Sequence, residues 1–276
     1  MSNPVGVTRL GHVNIVVPDH NAAVGHWRRL FDAEFFLCMY VPEVTATNTL
    51  GVIGDTCIEL FAPWSRESML GRTLARRGPG LFAIEFTVES YDRAEQAIRS
   101  GGLRVTQADP QRYFWVHPAD LGGISVEFSP ALFKGDPRDE PGWPAGRWAK
   151  GPLGITGLRS LSLNVTEPAA AVARRFCELF GAVAVADGSA GGRDFVEVQV
   201  AGDTFRLLSP SAEGNTRGGV ASIDFLVADL ADVHRWARGA GLPVVVVDDG
   251  RLALPEQLNL GSRVEFVQSR EEESTQ

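Results

Sequence analysis

Four stretches of the chain resemble one another, and this internal repeat restricts the possible folds more than any other feature. They occupy residues 10–19, 81–89, 158–167 and 220–229, and each is typical of a short strand that leads into a helix. Further strand candidates follow each helix, which gives each unit the order strand, helix, strand, strand, strand. A unit of about 50 residues with one helix cannot close its own core, so the units must pack in pairs. We therefore expect an α+β fold in which four tandem βαβββ units form two half-barrel clefts.

Residues that favour helix starts stand at the expected places in the repeat. Asp19 is the predicted N-cap of the first helix and Ser90 that of the second. The third helix is expected to begin near Pro168, because proline is favoured in the first helical turn. These signals support the same strand-to-helix order in the separate units.

A segment rich in proline, glycine and tryptophan interrupts the repeat and divides the chain. It covers residues 131–154 and shows no periodicity, which predicts a linker laid over the surface. We expect a first domain over residues 1–130 and a second over 155–268. Residues 269–276 are polar and charged, which predicts a disordered tail.

The overall composition excludes several classes of partner. A net charge of -8 and a pI of about 5.2 argue against nucleic-acid binding, which requires a basic surface. The sequence has no apolar run of the roughly 20 residues that a membrane-spanning helix needs, and its first residues do not look like a signal peptide. The three cysteines form no CxxC motif, which favours a reducing compartment. We expect a cytoplasmic protein.

The first repeat contains the histidine on which a functional hypothesis can be built. Side chains alternate between the faces of a strand, so His12, Asn14 and Val16 share one face of the first strand. None of the other three repeats has a histidine at the place of His12. The alternative interpretation is a structural, partly buried histidine.

Several motifs of the first half together resemble a known family. They occupy residues 11–13, 17–19, 57–63, 77–81, 117–118 and 122–127. With the repeated unit order, they make the chain similar to the vicinal oxygen chelate superfamily of glyoxalases, extradiol dioxygenases and bleomycin-resistance proteins. The first half most resembles methylmalonyl-CoA epimerases over nearly its whole length.

This resemblance implies a divalent metal site in the first half. In the superfamily, four side chains from the first and last strands of two units hold the metal. His12 matches the first ligand, Glu59 the second and Glu127 the fourth, whereas the usual histidine of the third place is Ala83. An imidazole and two carboxylates suit Co²⁺, Mn²⁺, Mg²⁺, Zn²⁺ or Ni²⁺. Glu85 is expected on the same strand face as Ala83, where it is a candidate to compensate.

The resemblance also implies an acid–base pair. Epimerases of this kind use two carboxylates on opposite sides of a substrate carbon, and Glu43 and Glu127 match them in this sequence. One removes a proton while the other delivers one, and a metal stabilises the enolate between the two steps. The implied function is a metal-assisted isomerase, epimerase or lyase acting on a carbonyl compound or a CoA thioester. The partner is then a small molecule.

The second half lacks this ligand set. Its four corresponding places hold Ser160, Arg206, Ser222 and Glu265, and an arginine beside a carboxylate favours a salt bridge over a cation. We expect a degenerate second cleft. Two-domain extradiol dioxygenases carry their metal in the second half, so this pattern disfavours a dioxygenase.

Two further questions remain open at the level of sequence. Ala83, with Phe82 beside it, is also compatible with a binding protein of the resistance type that has lost the metal and stacks a flat ligand. Since four units lie in one chain, the second half is expected to replace a second subunit. This arrangement predicts a monomer that is an internal pseudo-dimer, with a homodimer as the alternative.

Overall fold

The structure is a computed structural model that describes residues 2–130, 133, 135–211, 217–248 and 250–269. The described part of the chain forms two eight-stranded sheets with helices packed on them. The strands and helices are β1 (Val7–Val16), α1 (His20–Phe31), β2 (Glu34–Val41), β3 (Ala46–Ile53), β4 (Thr56–Pro63), α2 (Met69–Arg77), β5 (Gly80–Val88), α3 (Tyr91–Ser100), β6 (Val105–Asp109), β7 (Tyr113–Val116), β8 (Ser125–Ser129), β9 (Ile155–Asn164), α4 (Ala169–Phe180), β10 (Val183–Ala190), β11 (Arg193–Val200), β12 (Asp203–Leu208), β13 (Gly219–Val227), α5 (Leu230–Gly239), β14 (Val245–Asp248), β15 (Arg251–Leu254) and β16 (Val264–Gln268).

The two sheets have the same strand order, which confirms the predicted α+β fold of four tandem βαβββ units. The first sheet runs β2-β3-β4-β1-β5-β8-β7-β6, and the second runs β10-β11-β12-β9-β13-β16-β15-β14. Each is curled into a half-barrel. In both sheets the first strands of two repeats are neighbours at the centre, β1 with β5 and β9 with β13. The residues on these strands therefore lie in the middle of the sheet.

The helix starts follow the local sequence signals. Asp19 accepts a hydrogen bond from the backbone N–H of Ala22, and Ser90 accepts one from Arg93, as expected of N-caps. The third predicted start differs by one residue. Pro168 has a ψ of 132°, outside the helical range, so α4 begins at Ala169.

The described residues divide into two compact units. One comprises residues 1–15, 81–134 and 160–221. Its core is a cluster of phenylalanine rings from β5, β8, α4 and β12, in which Phe86 has its ring centroid 5.5 Å from that of Phe180 and 5.4 Å from that of Phe205. Phe128 also lies 5.6 Å from Phe180. This unit therefore buries the helix of the third repeat against the sheet residues of the second.

The other compact unit comprises residues 16–80, 135–159 and 222–276. Phe31 at the end of α1 lies 6.4 Å from Phe225 and 6.4 Å from Trp236, measured between ring centroids. His26 of α1 hydrogen-bonds through Nε2 to Oδ1 of Asn259 at 2.9 Å. This unit therefore packs elements of the first repeat against elements of the fourth.

The segment expected as a linker is anchored by its aromatic and basic side chains. Trp148 is buried and donates through Nε1 to the carbonyl of Phe31 at 3.2 Å. The guanidinium of Arg147 lies 4.0 Å from the Trp148 ring and pairs with Glu34 at 2.6 Å. These contacts hold residues 135–159 against the first repeat.

The predicted domain limits at residues 130 and 155 stay a prediction. The strands of each sheet fall on one side of these limits, whereas the two compact units combine residues from both sides of them. The predicted disordered tail lies outside the described residues except for Ser269, whose backbone N–H bonds to the carbonyl of Val227. None of the described helices has the length and hydropathy needed to cross a membrane.

Candidate metal centre

Three side chains singled out by the sequence come together on the first sheet. Glu59 lies on β4, His12 on the neighbouring β1, and Glu127 on β8, which β5 separates from β1. One possible ligand atom of each residue lies within 4.8 Å of the others. All three are buried, with 1% of His12, 3% of Glu59 and 8% of Glu127 exposed. One imidazole and two carboxylates at this spacing fit a divalent cation.

Glu59 is held by a neighbouring strand. The amide of Asn48 on β3 donates through Nδ2 to Oε1 of Glu59 at 2.5 Å, and both residues are buried. In the antiparallel pairing of β3 with β4, Leu50 lies opposite Glu59. Asn48 is two residues before Leu50 on the same strand face, so it is a diagonal neighbour of Glu59. Asn48 was not among the residues predicted from the sequence, because its place beside Glu59 depends on the pairing of β3 with β4.

His12 is flanked by an acidic and an aromatic side chain. Its Nδ1 lies 3.7 Å from Oε2 of Glu85, which is fully buried on β5. The aromatic neighbour is Phe133, whose ring centroid lies 5.5 Å from that of His12. Phe133 comes from the start of the expected linker, so this segment contributes to the surroundings of the site.

The place of the missing fourth ligand is clear from the pairing of β5 with β8. These strands are parallel, with Glu85 opposite Glu127 and Ala83 opposite Ser125. Ala83 is fully buried and offers no ligand atom. Glu85, the candidate to compensate for it, is not part of the group of described ligand atoms that lie within 4.8 Å of one another. Its carboxylate instead lies beside Nδ1 of His12.

The second predicted proton carrier is not part of this group. Glu43 lies in a short 3₁₀ turn, Pro42–Val44, between β2 and β3, and its side chain is exposed. The structure therefore brings His12, Glu59 and Glu127 together, and it places Glu43 at the end of a neighbouring hairpin.

The second sheet carries a related carboxylate pair with a different partner. Asp224 lies opposite Glu265 in the parallel pairing of β13 with β16. Arg251 donates through Nη1 to Glu265 at 2.9 Å and lies 3.3 Å from Asp224, while Arg263 bonds to Glu265 at 2.7 Å. Ser222 donates its hydroxyl to Asp224 at 2.5 Å. Guanidinium groups therefore neutralise the carboxylates of this cluster.

The expected arginine of the second sheet has another neighbour. Arg206 lies 3.9 Å from Glu197, with its guanidinium 4.0 Å from the ring of Phe195. Arg251 and Arg263, which pair with Glu265, were not predicted from the sequence. The degenerate second cleft stays a prediction, and these ion pairs support it.

The places of these two arginines hold neutral residues in the first sheet. Leu252 pairs with Phe266 as Phe114 pairs with Phe128, so the residue that precedes Phe114 corresponds to Arg251. That residue is Tyr113. By the same alignment, Ser125 takes the place of Arg263, two residues before the carboxylate. These two places therefore carry a positive charge in the second sheet and a neutral side chain in the first.

Comparison with known proteins supports the resemblance inferred from the sequence motifs. Residues 11–118 match the model of the Glyoxalase/Bleomycin resistance protein/Dioxygenase superfamily. Mitochondrial methylmalonyl-CoA epimerase of Homo sapiens is 26% identical over 130 residues, which are 45% of this chain and 74% of that protein. Ethylmalonyl-CoA/methylmalonyl-CoA epimerase of Cereibacter sphaeroides is 28% identical over 129 residues, 44% of this chain and 96% of that protein.

A solved structure also matches almost the whole chain. A mutant of 4-hydroxymandelate synthase from Streptomyces coelicolor superposes with a TM-score of 0.71 at 13% identity, covering 95% of this chain and 93% of its own. At this identity the match establishes the fold alone. The resemblance of the chain to the superfamily, and of its first half to methylmalonyl-CoA epimerase, is confirmed.

Proposed function

Because residues 11–118 match the Glyoxalase/Bleomycin resistance protein/Dioxygenase superfamily, we propose that the protein is a metal-assisted enzyme of this superfamily. The proposed reaction is an isomerisation, epimerisation or lyase step that passes through an enolate of a carbonyl compound or CoA thioester. The single observation that carries this proposal is the convergence of His12, Glu59 and Glu127 within 4.8 Å. The epimerase relatives make a CoA thioester the first substrate class to test.

The donor set of the first sheet differs from that of the second. In the second sheet Arg251 lies 2.9 Å from Glu265, whereas the corresponding place in the first sheet is Tyr113. The first sheet has His12 and Glu59 beside its carboxylate instead. A divalent metal is the positive charge that this donor set suits.

The residues of the chain would divide the chemistry between them. His12, Glu59 and Glu127 would hold the metal, which when bound would stabilise negative charge on the enolate oxygen. The carboxylate of Glu127 would exchange a proton with the carbon next to the carbonyl on one face. Glu43, from the hairpin turn, would do so on the other face after the turn closes over a substrate.

Hydrogen exchange tests this proposal without knowledge of the final product. An enzyme that forms an enolate exchanges the proton next to the carbonyl with solvent deuterium. We expect the protein with Mn²⁺ or Co²⁺ to incorporate deuterium into methylmalonyl-CoA or a related acyl-CoA, as measured by mass spectrometry. Glu127→Gln should slow the exchange at least ~100-fold, because it removes both a ligand and a base.

The second sheet offers the control for this experiment. Glu265→Gln changes the corresponding carboxylate, which Arg251 and Arg263 hold. It should leave exchange unchanged at temperatures at which the variant stays folded. A wild-type protein that binds neither metal on titration, and exchanges no acyl-CoA proton, would contradict the enolate mechanism.

The aromatic residues near the site favour one other function. Phe133 lies against His12, and the rings of Phe82 and Trp115 lie 5.9 Å apart, while Ala83 fills the fourth ligand place. These features suit a non-catalytic protein that binds a flat small molecule. Thermal-shift measurements with CoA esters and with planar aromatic compounds, each with and without EDTA, separate the two functions. Stabilisation by aromatics alone, insensitive to EDTA, would favour the binding protein.

We also propose that the chain acts as a monomer, since each of its two sheets is built from two repeats. Light scattering at low micromolar concentration should then give a mass near 29.8 kDa. Twice that mass would indicate the homodimer alternative, and a larger oligomer alone would contradict both. The cytoplasmic location predicted from composition stays a prediction.

A further inference from the structure

We propose that Glu85 is a positioning residue that fixes the ring of His12 so that Nε2 is the metal-binding atom. The proposal rests on the proposed metal site and adds a residue to it. Oε2 of Glu85 lies 3.7 Å from Nδ1 of His12, and both side chains are almost completely buried. At 3.7 Å this contact is longer than a hydrogen bond, and it acts through charge: a buried carboxylate this close to one imidazole nitrogen favours the proton on that nitrogen. The other nitrogen then offers its lone pair to a metal.

The packing around Glu85 shows that the chain makes room for its carboxylate. A Cβ atom at Gly11 would lie 1.3 Å from Oε2 of Glu85 and 2.5 Å from its Cδ. It would also lie 2.9 Å from Oγ1 of Thr87. Only glycine at position 11 therefore allows the carboxylate to reach its place beside His12. The Gly11-His12 pair in the sequence thus supplies both the imidazole and the space for its acidic neighbour.

The second sheet shows how a carboxylate at the same place is used. Asp224 corresponds to Glu85, since Asp224 pairs with Glu265 as Glu85 pairs with Glu127. The oxygens of Asp224 accept hydrogen bonds from Ser222 and Arg251, so this carboxylate holds neighbouring polar side chains. In the first sheet the imidazole of His12 lies beside the corresponding carboxylate.

This arrangement gives Glu85 a role distinct from that of the missing fourth ligand. A fourth ligand would add one more donor to the metal. A positioning residue instead sets which nitrogen of His12 carries the proton and how the ring is oriented. Loss of such a partner usually weakens metal binding by about 10–100-fold.

The first measurement is metal affinity. Mn²⁺ binding to the full chain, by isothermal titration calorimetry, would be compared for the wild type, Glu85→Gln, Glu85→Asp and Asp224→Asn. We expect Glu85→Gln to raise the Kd by about 10–100-fold and Glu85→Asp to recover part of that loss. Asp224→Asn removes the corresponding buried carboxylate of the second sheet and should leave the Kd unchanged. Equal affinities of Glu85→Gln and the wild type would overturn the proposal.

The second measurement needs no metal and separates this proposal from the proposed function. In protein labelled with ¹⁵N-histidine and treated with EDTA, the His12 signals are those lost in His12→Gln. We expect the wild-type Nδ1 to carry a proton, and Glu85→Gln to change the ¹⁵N shifts of His12. If the wild type binds no Mn²⁺ but these shifts respond to Glu85→Gln, the metal function fails and the positioning role stands. If the shifts do not respond, the positioning role fails whatever the metal result.

Discussion

Restoring a histidine at the fourth ligand place should strengthen metal binding in the first sheet alone. Ala83 is fully buried, lies opposite Ser125 on β8 and is two residues before Glu85 on β5. Ala83→His places an imidazole on the strand face that carries Glu127, where the superfamily has its third ligand. We expect the affinity for Mn²⁺ or Co²⁺ to rise at least ~10-fold, which is about 1.4 kcal/mol.

The size of the effect can be followed by thermal unfolding. At a fixed metal concentration well above the Kd, a tenfold gain in affinity adds about 1.4 kcal/mol of ligand-dependent stability. For a chain of this size that corresponds to a rise of about 3 °C in the metal-induced shift of Tm. The larger side chain also costs about 1–3 kcal/mol by overpacking. The comparison must therefore be between each variant with metal and the same variant with EDTA.

The matched variant is Ser222→His, at the corresponding place of the second sheet. Ser222 is buried beside Asp224, whose carboxylate Arg251 already neutralises. A guanidinium at this place repels a cation, so Ser222→His should show no metal-induced shift of its own. Equal gains from Ala83→His and Ser222→His, or no gain from either, would refute the placement of the metal centre in the first sheet.

Three further changes test other contacts. Gly11→Ala forces the carboxylate of Glu85 to move, so it should weaken Mn²⁺ binding about as much as Glu85→Gln does. A calorimetric Kd equal to that of the wild type would contradict this prediction. Asp120→Asn removes a carboxylate whose pKa Arg104 lowers from 3.8 to about 2 through a hydrogen bond, so its stabilising effect is complete above pH 3.8 and is lost as the pH falls toward 2. The Tm of this variant should therefore lie below that of the wild type at pH 7 and approach it near pH 2, and a difference independent of pH would contradict this. Trp148→Ala removes the buried ring of the linker and its hydrogen bond to the carbonyl of Phe31. It should lower the free energy of unfolding, measured in urea, by about 3–5 kcal/mol. A change below about 1 kcal/mol would show that this ring does not anchor the linker.

Local patterns were sufficient to predict the repeated units and most of their helix starts. The alternation of side chains along a strand and the choice of N-cap residue depend on only a few neighbouring residues. Asp19 and Ser90 therefore predict the starts of their helices without tertiary information. The repeat then required pairing of units, and the two eight-stranded sheets confirm that reasoning. The contacts by which side chains from the two halves of the chain share a core were not predictable, because Phe86 and Phe180 are 94 residues apart in sequence but their rings lie 5.5 Å apart.

The site followed the same division between local and long-range information. His12, Glu59 and Glu127 were selected by their places in a family pattern, and the structure brings them together. Asn48 and the orientation of Glu85 depend on strand pairing, which a single sequence does not reveal. A buried polar residue on a strand is ambiguous until its neighbour on the next strand is known.

The two sheets of this chain place different side chains beside the same pair of carboxylates. Each sheet sets two carboxylates side by side on parallel neighbouring strands, Glu85 with Glu127 and Asp224 with Glu265. In the second sheet Arg251 is a permanent positive charge 2.9 Å from Glu265, whereas the corresponding place in the first sheet is Tyr113. The first sheet instead brings the imidazole of His12 and the carboxylate of Glu59 to Glu127. On the proposed function, a divalent cation held by these three side chains would bring positive charge to Glu127 as a guanidinium does to Glu265.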